Sequence, residues 1–438
     1  MIVYTYNKEI VHLEEEPFAS GGEGEIRHVT KCPSRFKNVC AKLYFKPRQT
    51  SQQEQKIRFM VENPPSNMVT SGMMIIWPLD TIYDKTGGFL GFLMPVAFPD
   101  SKKLSILVLP KLKRTLKLEW YKFDKEYDIR CALNSRLKLI NNIAIPIHLL
   151  HATNKYVLKD FKPDNVLVTS DGKVSVVDMD SIQICDNGEL LFSGTAATDT
   201  YIPPEFYKGV GQNKNDILTK SWDNFAVSVV FYQLLFGLHP YVATPLNDST
   251  EDSNTIPYCI RKNLFPFGDN ASKIESYPNL HKNFKIVPAE VQKLFERAFG
   301  KNAENRPQAK EWVQVIKRVI GSMKNDTPPP PSSYEAVYAI NIADSSNGSI
   351  SLSMRSAKPG TVVLVYEHPN SGYRLSEISY ETSLGKTKIL NKEFVMPATH
   401  VTVKADFVPM KNPSSESGCF GVVLGVAAIV SFVVSLLI

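Results

Sequence analysis

Along residues 1–15 apolar and charged positions alternate, a period-two pattern that lacks the continuous apolar stretch of a secretory signal. Residues 51–62 change to an amphipathic pattern of helical period, and residues 166–177 read as a hairpin. The apolar run 225–236 is too short to span a bilayer. Residues 419–438 differ: 20 residues carry no charge, about 30 Å as a helix and so the thickness of a bilayer core, which predicts a transmembrane anchor. A single crossing leaves residues 1 to about 418 on one side. Without a signal sequence that side is expected to be the cytoplasm, with Lys411 as the flanking cation.

Four prolines at 328–331, flanked by Asn, Asp, Thr and Ser, predict an extended linker over 323–333. Beyond it, residues 337–342, 349–354, 361–366, 373–380 and 393–407 read as short strands punctuated by Asn-Gly, Pro-Gly and Ser-Gly, a small all-β module over 334–410. With 438 residues the chain has room for two or three folded units, the largest over 1–322.

Composition removes several function classes. A net charge of +6, with Lys and Arg interleaved among Asp and Glu, gives no basic block and no support for nucleic-acid binding. The six cysteines (Cys32, Cys40, Cys131, Cys185, Cys259, Cys419) contain no Cys-x-x-Cys pair, which fits a reducing compartment and no zinc site. His148 and His151 sit at helical spacing in an apolar run, the place of satisfied core histidines rather than metal ligands.

The candidate chemistry begins at Ala19-Ser20-Gly21-Gly22-Glu23-Gly24-Glu25-Ile26, where glycines fall after β-prone residues and let backbone approach phosphates. Sixteen residues after Ile26 stands Lys42, in Val39-Cys40-Ala41-Lys42. An ammonium in a phosphate-contacting role needs a fixing carboxylate, and the 51–62 helix offers Glu54 or Glu62, of which Glu54 is preferred. The densest cluster is Lys159-Asp160-Phe161-Lys162-Pro163-Asp164-Asn165, followed thirteen residues after Asn165 by Asp178-Met179-Asp180.

This ordered set resembles the protein kinase family over about residues 10–320. The resemblance implies an α+β, two-lobed kinase fold, with a β-rich N-lobe over about 1–97 and a largely helical C-lobe over about 98–322. It implies ATP and Mg²⁺ as cofactors and Ser/Thr hydroxyls of protein as acceptors. It further implies that Asp160 accepts the proton of the acceptor hydroxyl, Lys162 contacts the transferring phosphate, and Asn165 and Asp178 bind metal. Gly21, Gly22, Gly24, Ile26, Lys42, Glu54 and Met94 would hold the nucleotide, with the adenine near Met94. Trp77-Pro78-Leu79 and Gly91-Phe92-Leu93-Met94-Pro95 are similar to the strands that lead to the hinge between lobes.

Downstream, Tyr201-Ile202-Pro203-Pro204-Glu205 is similar to the element that closes a kinase activation segment, with Thr198 at the substrate-site position. Asp223 matches the aspartate that holds the catalytic loop, and Arg306 is placed to pair with Glu205. Leu158, Lys159 and Asp180 depart from the pattern, standing where histidine, arginine and glycine are usual. Lys159 cannot grip a phosphate bidentately, so activity is expected to be constitutive or partner-gated. These departures also leave a nucleotide-binding scaffold without phosphotransfer as the alternative. The β module is similar to bacterial modules related to the internalin B-repeat, through residues 348–351, 372–374, 394–397 and 401–403.

Overall fold

The alternation at the N-terminus is realised as a hairpin. Strand β1 (Ile2–Thr5) pairs antiparallel with β2 (Ile10–Leu13), burying Val3, Val11 and Leu13 while Ile2 and Ile10 stay exposed. The structure is a computed structural model describing residues 1–325 and 337–410, apart from positions 111, 114, 125–128, 195–196, 249, 251, 383–384 and 398. The chain divides into two units between Ser332 and Ser333.

In the first unit β3 (Ala19–Ser20), β4 (Gly24–Lys31) and β5 (Val39–Tyr44) are followed by helix α1 (Ser51–Glu62), β6 (Met73–Ile75), β7 (Asp80–Tyr83) and β8 (Phe89–Pro95). The large sheet runs β2-β1-β7-β8-β5-β4-β3, and β2 pairs with β4 as well, so β1, β2, β4, β5, β7 and β8 close into a barrel. Val3, Val11, Leu13, Ala41, Leu43, Ile82 and Leu93 form its core. Strand β5 is buried along its whole length, and its neighbours approach so closely that glycine is required on each side. A Cβ on Gly24 would sit 2.2 Å from the Leu43 carbonyl oxygen, and one on Gly91 1.9 Å from that of Lys42.

Helix α1 starts where Thr50 accepts a hydrogen bond from the Gln53 N–H, and it turns Gln53, Lys56, Ile57 and Met60 inward. Trp77 is fully buried and its indole N–H donates to the Met60 carbonyl at 2.8 Å. Residues 77–79 therefore connect β6 to β7 instead of forming the strand expected there, because the indole anchors them on α1.

The rest of this unit is largely helical. Short strands β9 (Lys102–Lys103), β10 (Tyr156–Val157), β11 (Val166–Val168), β12 (Val174–Val176), β13 (Gln183–Asp186), β14 (Glu189–Phe192), β15 (Thr244–Pro245) and β16 (Ile274–Ser276) join helices α2 (Ile129–Ala152), α3 (Lys220–Phe236), α4 (Ile256–Arg261), α5 (Ala289–Ala298) and α6 (Ala309–Asn325). The apolar run 225–236 becomes most of α3, in which residues 222–232 and 234–236 are all buried. It is a core helix of this unit. Arg306 and Glu205 form a bidentate pair at 2.5 and 2.8 Å, clamping the end of the activation segment to the helical lobe. Helix α6 runs to Asn325, so the expected linker does not begin at 323; amphipathic spacing outlasts the composition change. The four prolines lie outside the described residues.

The second unit pairs two sheets over β17 (Tyr338–Ile342), β18 (Gly348–Leu352), β19 (Ser356–Ala357), β20 (Val362–Pro369), β21 (Tyr373–Thr382), β22 (Gly385–Lys388), β23 (Glu393–Val395) and β24 (Val401–Pro409). One sheet runs β19-β17-β24-β21-β22 and the other β18-β20-β23. Ile340, Val363, Val365, Phe394, Met396, Val403 and Phe407 are among the residues of its core. The segment 393–407 is two strands belonging to different sheets, separated around Pro397, which has no N–H for a ladder. The anchor expected over 419–438 lies outside the described residues; among the described residues no helix is long and apolar enough to cross a membrane.

Candidate active site

Strand β10 delivers the chain to the acidic loop, and α3 fixes that loop from beneath. Asp223, fully buried in the first turn of α3, accepts the N–H groups of Leu158 at 2.8 Å and Lys159 at 3.0 Å and lies 2.8 Å from His151 Nε2. The Trp222 indole donates to the Lys159 carbonyl at 2.9 Å. Lys159 is held in the left-handed region at φ 63°, and the Asp160 N–H turns back onto the Leu158 carbonyl at 2.7 Å. Leu158, standing where histidine is usual, is a core residue.

Asp160 emerges with both carboxylate oxygens engaged. Lys162 Nζ donates to Oδ2 at 2.7 Å and the Thr198 hydroxyl to Oδ1 at 2.7 Å, while Lys162 also reaches the Thr198 hydroxyl at 2.9 Å. The Asn165 amide donates to the Asp160 carbonyl at 3.0 Å, leaving its side-chain oxygen as a metal-type donor. The antiparallel hairpin β11–β12 then returns the chain so that the Val177 N–H bonds the Asn165 carbonyl at 3.0 Å. That return explains the thirteen-residue interval: the hairpin brings Asp178 back beside Asn165. Asp178 itself takes a left-handed conformation, φ 63° and ψ 37°.

Lys42 reaches the same segment from β5. Its ammonium lies 2.8 Å from both Asp180 oxygens and 3.0 Å from Asp178 Oδ1. Glu54 does not supply this partner. Its carboxylate accepts from the Tyr83 hydroxyl at 2.8 Å, because the buried face of α1 carries Gln53 and Lys56 instead. Asp180 also accepts from the Tyr44 hydroxyl at 2.6 Å, which in turn takes the Gln53 amide at 2.7 Å. Tyr44 lies two residues after Lys42 on one strand, a same-face spacing that could have been read from the sequence.

Burial opposes the charge on Lys42, but Asp180 and then Asp178 outweigh it and hold its pKa above the ordinary value. Burial likewise works against Asp180, which Lys42 and the Tyr44 hydroxyl nevertheless keep below the usual carboxylate range. Asp178 moves the other way, raised first by burial and then by its acidic neighbour, with Lys42 offsetting part of the rise. A second lysine, Lys56, is buried with no hydrogen-bond partner among the described residues, and burial lowers its pKa to about 8 despite the attraction of Asp180.

Lys42, Asn165, Asp178 and Asp180 border a cavity of about 280 Å³ also lined by Gly21, Gly22, Gly24, Ile26, Ile76, Phe92, Met94 and Met179, among others. Its apolar end suits a planar base and its acidic end a phosphate-bound cation. Gly21 and Gly22 have open space where a Cβ would project, so no side chain blocks the approach to this turn, which the Gly21 N–H closes on the Gly24 carbonyl at 2.9 Å, whereas Gly24 is glycine for strand packing. Larger cavities of about 370 Å³ beside Thr219 and about 450 Å³ beside Asn142 contain none of this acidic and basic set. Asp178 and Asn165 present two oxygen donors of the type Mg²⁺ takes, and Asp178 keeps 40% of its side chain accessible, so the residues present fit the metal.

Strands β13 and β14 extend a three-stranded sheet from β10, and Lys159 donates to the Gly194 carbonyl at 3.0 Å.

Two lobes, a glycine hairpin over a cleft and an acidic loop capped from a buried helix define a phosphotransferase of the kinase type. The chain belongs to the protein kinase family, whose domain profile matches residues 20–315. Residues 338–411 match the divergent InlB B-repeat domain. The chain is similar to the protein kinase YegI of Escherichia coli K12, 26% identical over 330 residues, covering 74% of this chain and 46% of that protein. It is also similar to two proteins of Arabidopsis thaliana. The serine/threonine-protein kinase GRIK1 is 28% identical over 129 residues, 30% of this chain and 31% of that one. The serine/threonine-protein kinase TOUSLED is 30% identical over 185 residues, 41% and 24% respectively. The chain spans about half the length of the YegI proteins it matches, 46% and 47%.

Proposed function

We propose that this chain is a protein Ser/Thr kinase, transferring the γ-phosphoryl group of ATP to Ser or Thr hydroxyls of protein. The observation that carries the reading is the convergence of Lys42, Asn165 and Asp178 on one cavity, with Asp160 tied to Asn165 and engaging Lys162 and Thr198. Bound Mg²⁺ would neutralise phosphate charge, held by Asp178 and Asn165. Lys42 positions the α- and β-phosphates, and Gly22 offers backbone to them from a turn closed by the Gly21 N–H on the Gly24 carbonyl at 2.9 Å. Asp160 orients the acceptor hydroxyl and takes its proton, exchanging the Thr198 hydroxyl for that of the substrate. Lys162, already bonded to Asp160 and Thr198, stabilises the charge of the phosphoryl group as it moves.

The scaffold alternative has less support. Leu158 packs in the core and Asp180 provides a partner for Lys42, so neither departure removes a group that the chemistry needs. Radiolabel transfer from ATP to generic protein substrates, compared with Asp160→Ala, tests the reading; equal incorporation by the two proteins would refute it. We infer further that residues 419–438 tether the chain to a membrane with the kinase unit in the cytoplasm, on the strength of the uncharged 20-residue stretch. Release of the full chain from membranes by alkaline carbonate would count against the tether.

A further inference from the structure

Resting on the kinase reading, we propose that Asp180, and not a carboxylate of α1, is the positioning residue that fixes the nucleotide-contacting ammonium of Lys42. The geometry is one-sided. Both oxygens of Asp180 lie 2.8 Å from Lys42 Nζ, and with side-chain accessibilities of 11% for Lys42 and 1% for Asp180 the pair sits largely shielded in the wall of the cavity. Asp178, the other contact, is 40% accessible and faces the cavity where a cation is needed.

Helix α1 cannot do the same work. Its buried polar residues are Gln53 and Lys56, a neutral amide and a second cation. Glu54 is held by the Tyr83 hydroxyl. Hydrogen bonds connect the helix to the ion pair through the relay from Gln53 to the Tyr44 hydroxyl and on to Asp180, at 2.7 and 2.6 Å. Lys56, buried beside this network without a hydrogen-bond partner among the described residues, adds positive charge that a carboxylate at position 180 opposes. An acid stands two residues after Asp178, where the kinase resemblance expects glycine, and none is turned inward on the helix. The lysine's partner thus travels with Asp178. The hydrogen bond from α1 to this network is neutral, from the Gln53 amide to the Tyr44 hydroxyl, so the ion pair does not draw its anion from the helix.

The test compares the full-length wild type with Asp180→Asn, Glu54→Gln and the double variant Asp180→Asn/Gln53→Glu. Mg-ATP binding is read by calorimetric titration, and kcat and KM are read separately. Asp180→Asn is expected to weaken Mg-ATP binding roughly tenfold or more and to lower kcat/KM by about 10²-fold, whereas Glu54→Gln stays within about twofold of wild type. Returning a carboxylate from the helix in the double variant is expected to recover at least part of both losses, a gain that repair of mere folding would not produce. Should Asp180→Asn fail to fold, Asp180→Asn/Lys56→Met against Lys56→Met makes the same comparison with one buried cation removed alongside the anion. Wild-type affinity and turnover in the Asp180 variant, or an equal loss in Glu54→Gln, would overturn the inference. Absence of phosphotransfer in the wild type would overturn the kinase reading instead, and the binding titration would still decide this one.

Discussion

Asp223 offers the sharpest test of how the acidic loop is held. It is fully buried and accepts two backbone N–H groups, at 2.8 and 3.0 Å, with His151 Nε2 against the same carboxylate at 2.8 Å. A buried N–H left without an acceptor costs about 1–3 kcal/mol. Asp223→Asn keeps one acceptor oxygen and turns an amide NH₂ toward the other N–H, so a loss of about 2–3 kcal/mol is expected. Asp223→Ala strips both N–H groups and the histidine, for roughly 3–6 kcal/mol, a large share of a typical stability of about 5–15 kcal/mol. At roughly 2 °C per kcal/mol for a domain of this size, the Asn variant should melt about 5 °C below wild type. It should also turn over more slowly at a temperature where it is fully folded. The released loop carries Asp160, and a displacement of about 1 Å at a reacting group costs roughly 10²-fold in rate. The assays are thermal denaturation followed by circular dichroism and steady-state phosphotransfer at 15 °C or below the onset of melting, whichever is lower. An Asn variant that melts within about 1 °C of wild type and keeps its kcat/KM would refute the claim that this cap positions the loop.

Other consequences follow from neighbouring groups. The folded-state pKa of Lys56 is about 8 against an ordinary 10.5, so between those values the unfolded chain holds a proton that the folded protein has released, and stability rises with pH across that window. Lys56→Met should abolish that rise and gain up to about 3 kcal/mol at pH 7, read from denaturant midpoints of both proteins between pH 7 and 10. Arg306→Ala leaves Glu205 without its bidentate partner; because Glu205 is 21% accessible, a loss near the low end of the buried-pair range, about 3 kcal/mol, is expected by denaturant titration. Thr198→Val removes the hydroxyl that bonds Asp160 and Lys162, and should lower kcat roughly 10- to 100-fold while Mg-ATP affinity stays at the wild-type value.

Where candidate site residues are linked by short chain intervals, the sequence was enough to place them together. Asp160, Lys162 and Asn165 lie within one loop, and a single hairpin links Asn165 to Asp178, so spacing alone encodes their proximity. Asp223 and the pairing of Arg306 with Glu205 were legible through resemblance, since each sits in a recognisable local motif. The lysine's partner was not legible. Which residue of α1 faces the cleft depends on the helix's rotation against the barrel, and the structure turns Gln53 and Lys56 inward while Glu54 meets Tyr83. Asp180 was conspicuous as an acid replacing glycine, yet its contact with Lys42 joins residues 138 positions apart. Barrel closure escaped for a similar reason: the β2–β4 pairing depends on a register that alternation does not specify. In the second unit, Pro397 was visible in the sequence, and the change of sheet around it was not.

In the proposed kinase, widely separated side chains meet around one nucleotide and divide the work between holding it and using it. Measuring Mg-ATP affinity and phosphotransfer in parallel for Asp160→Asn and Asp178→Asn tests that division. Asp160→Asn is expected to bind Mg-ATP normally and lose roughly 10²- to 10³-fold in kcat, while Asp178→Asn loses Mg²⁺-dependent nucleotide binding as well as turnover. Wild-type turnover in either variant, or the same affinity for nucleotide with and without Mg²⁺ in the wild type, would contradict the account.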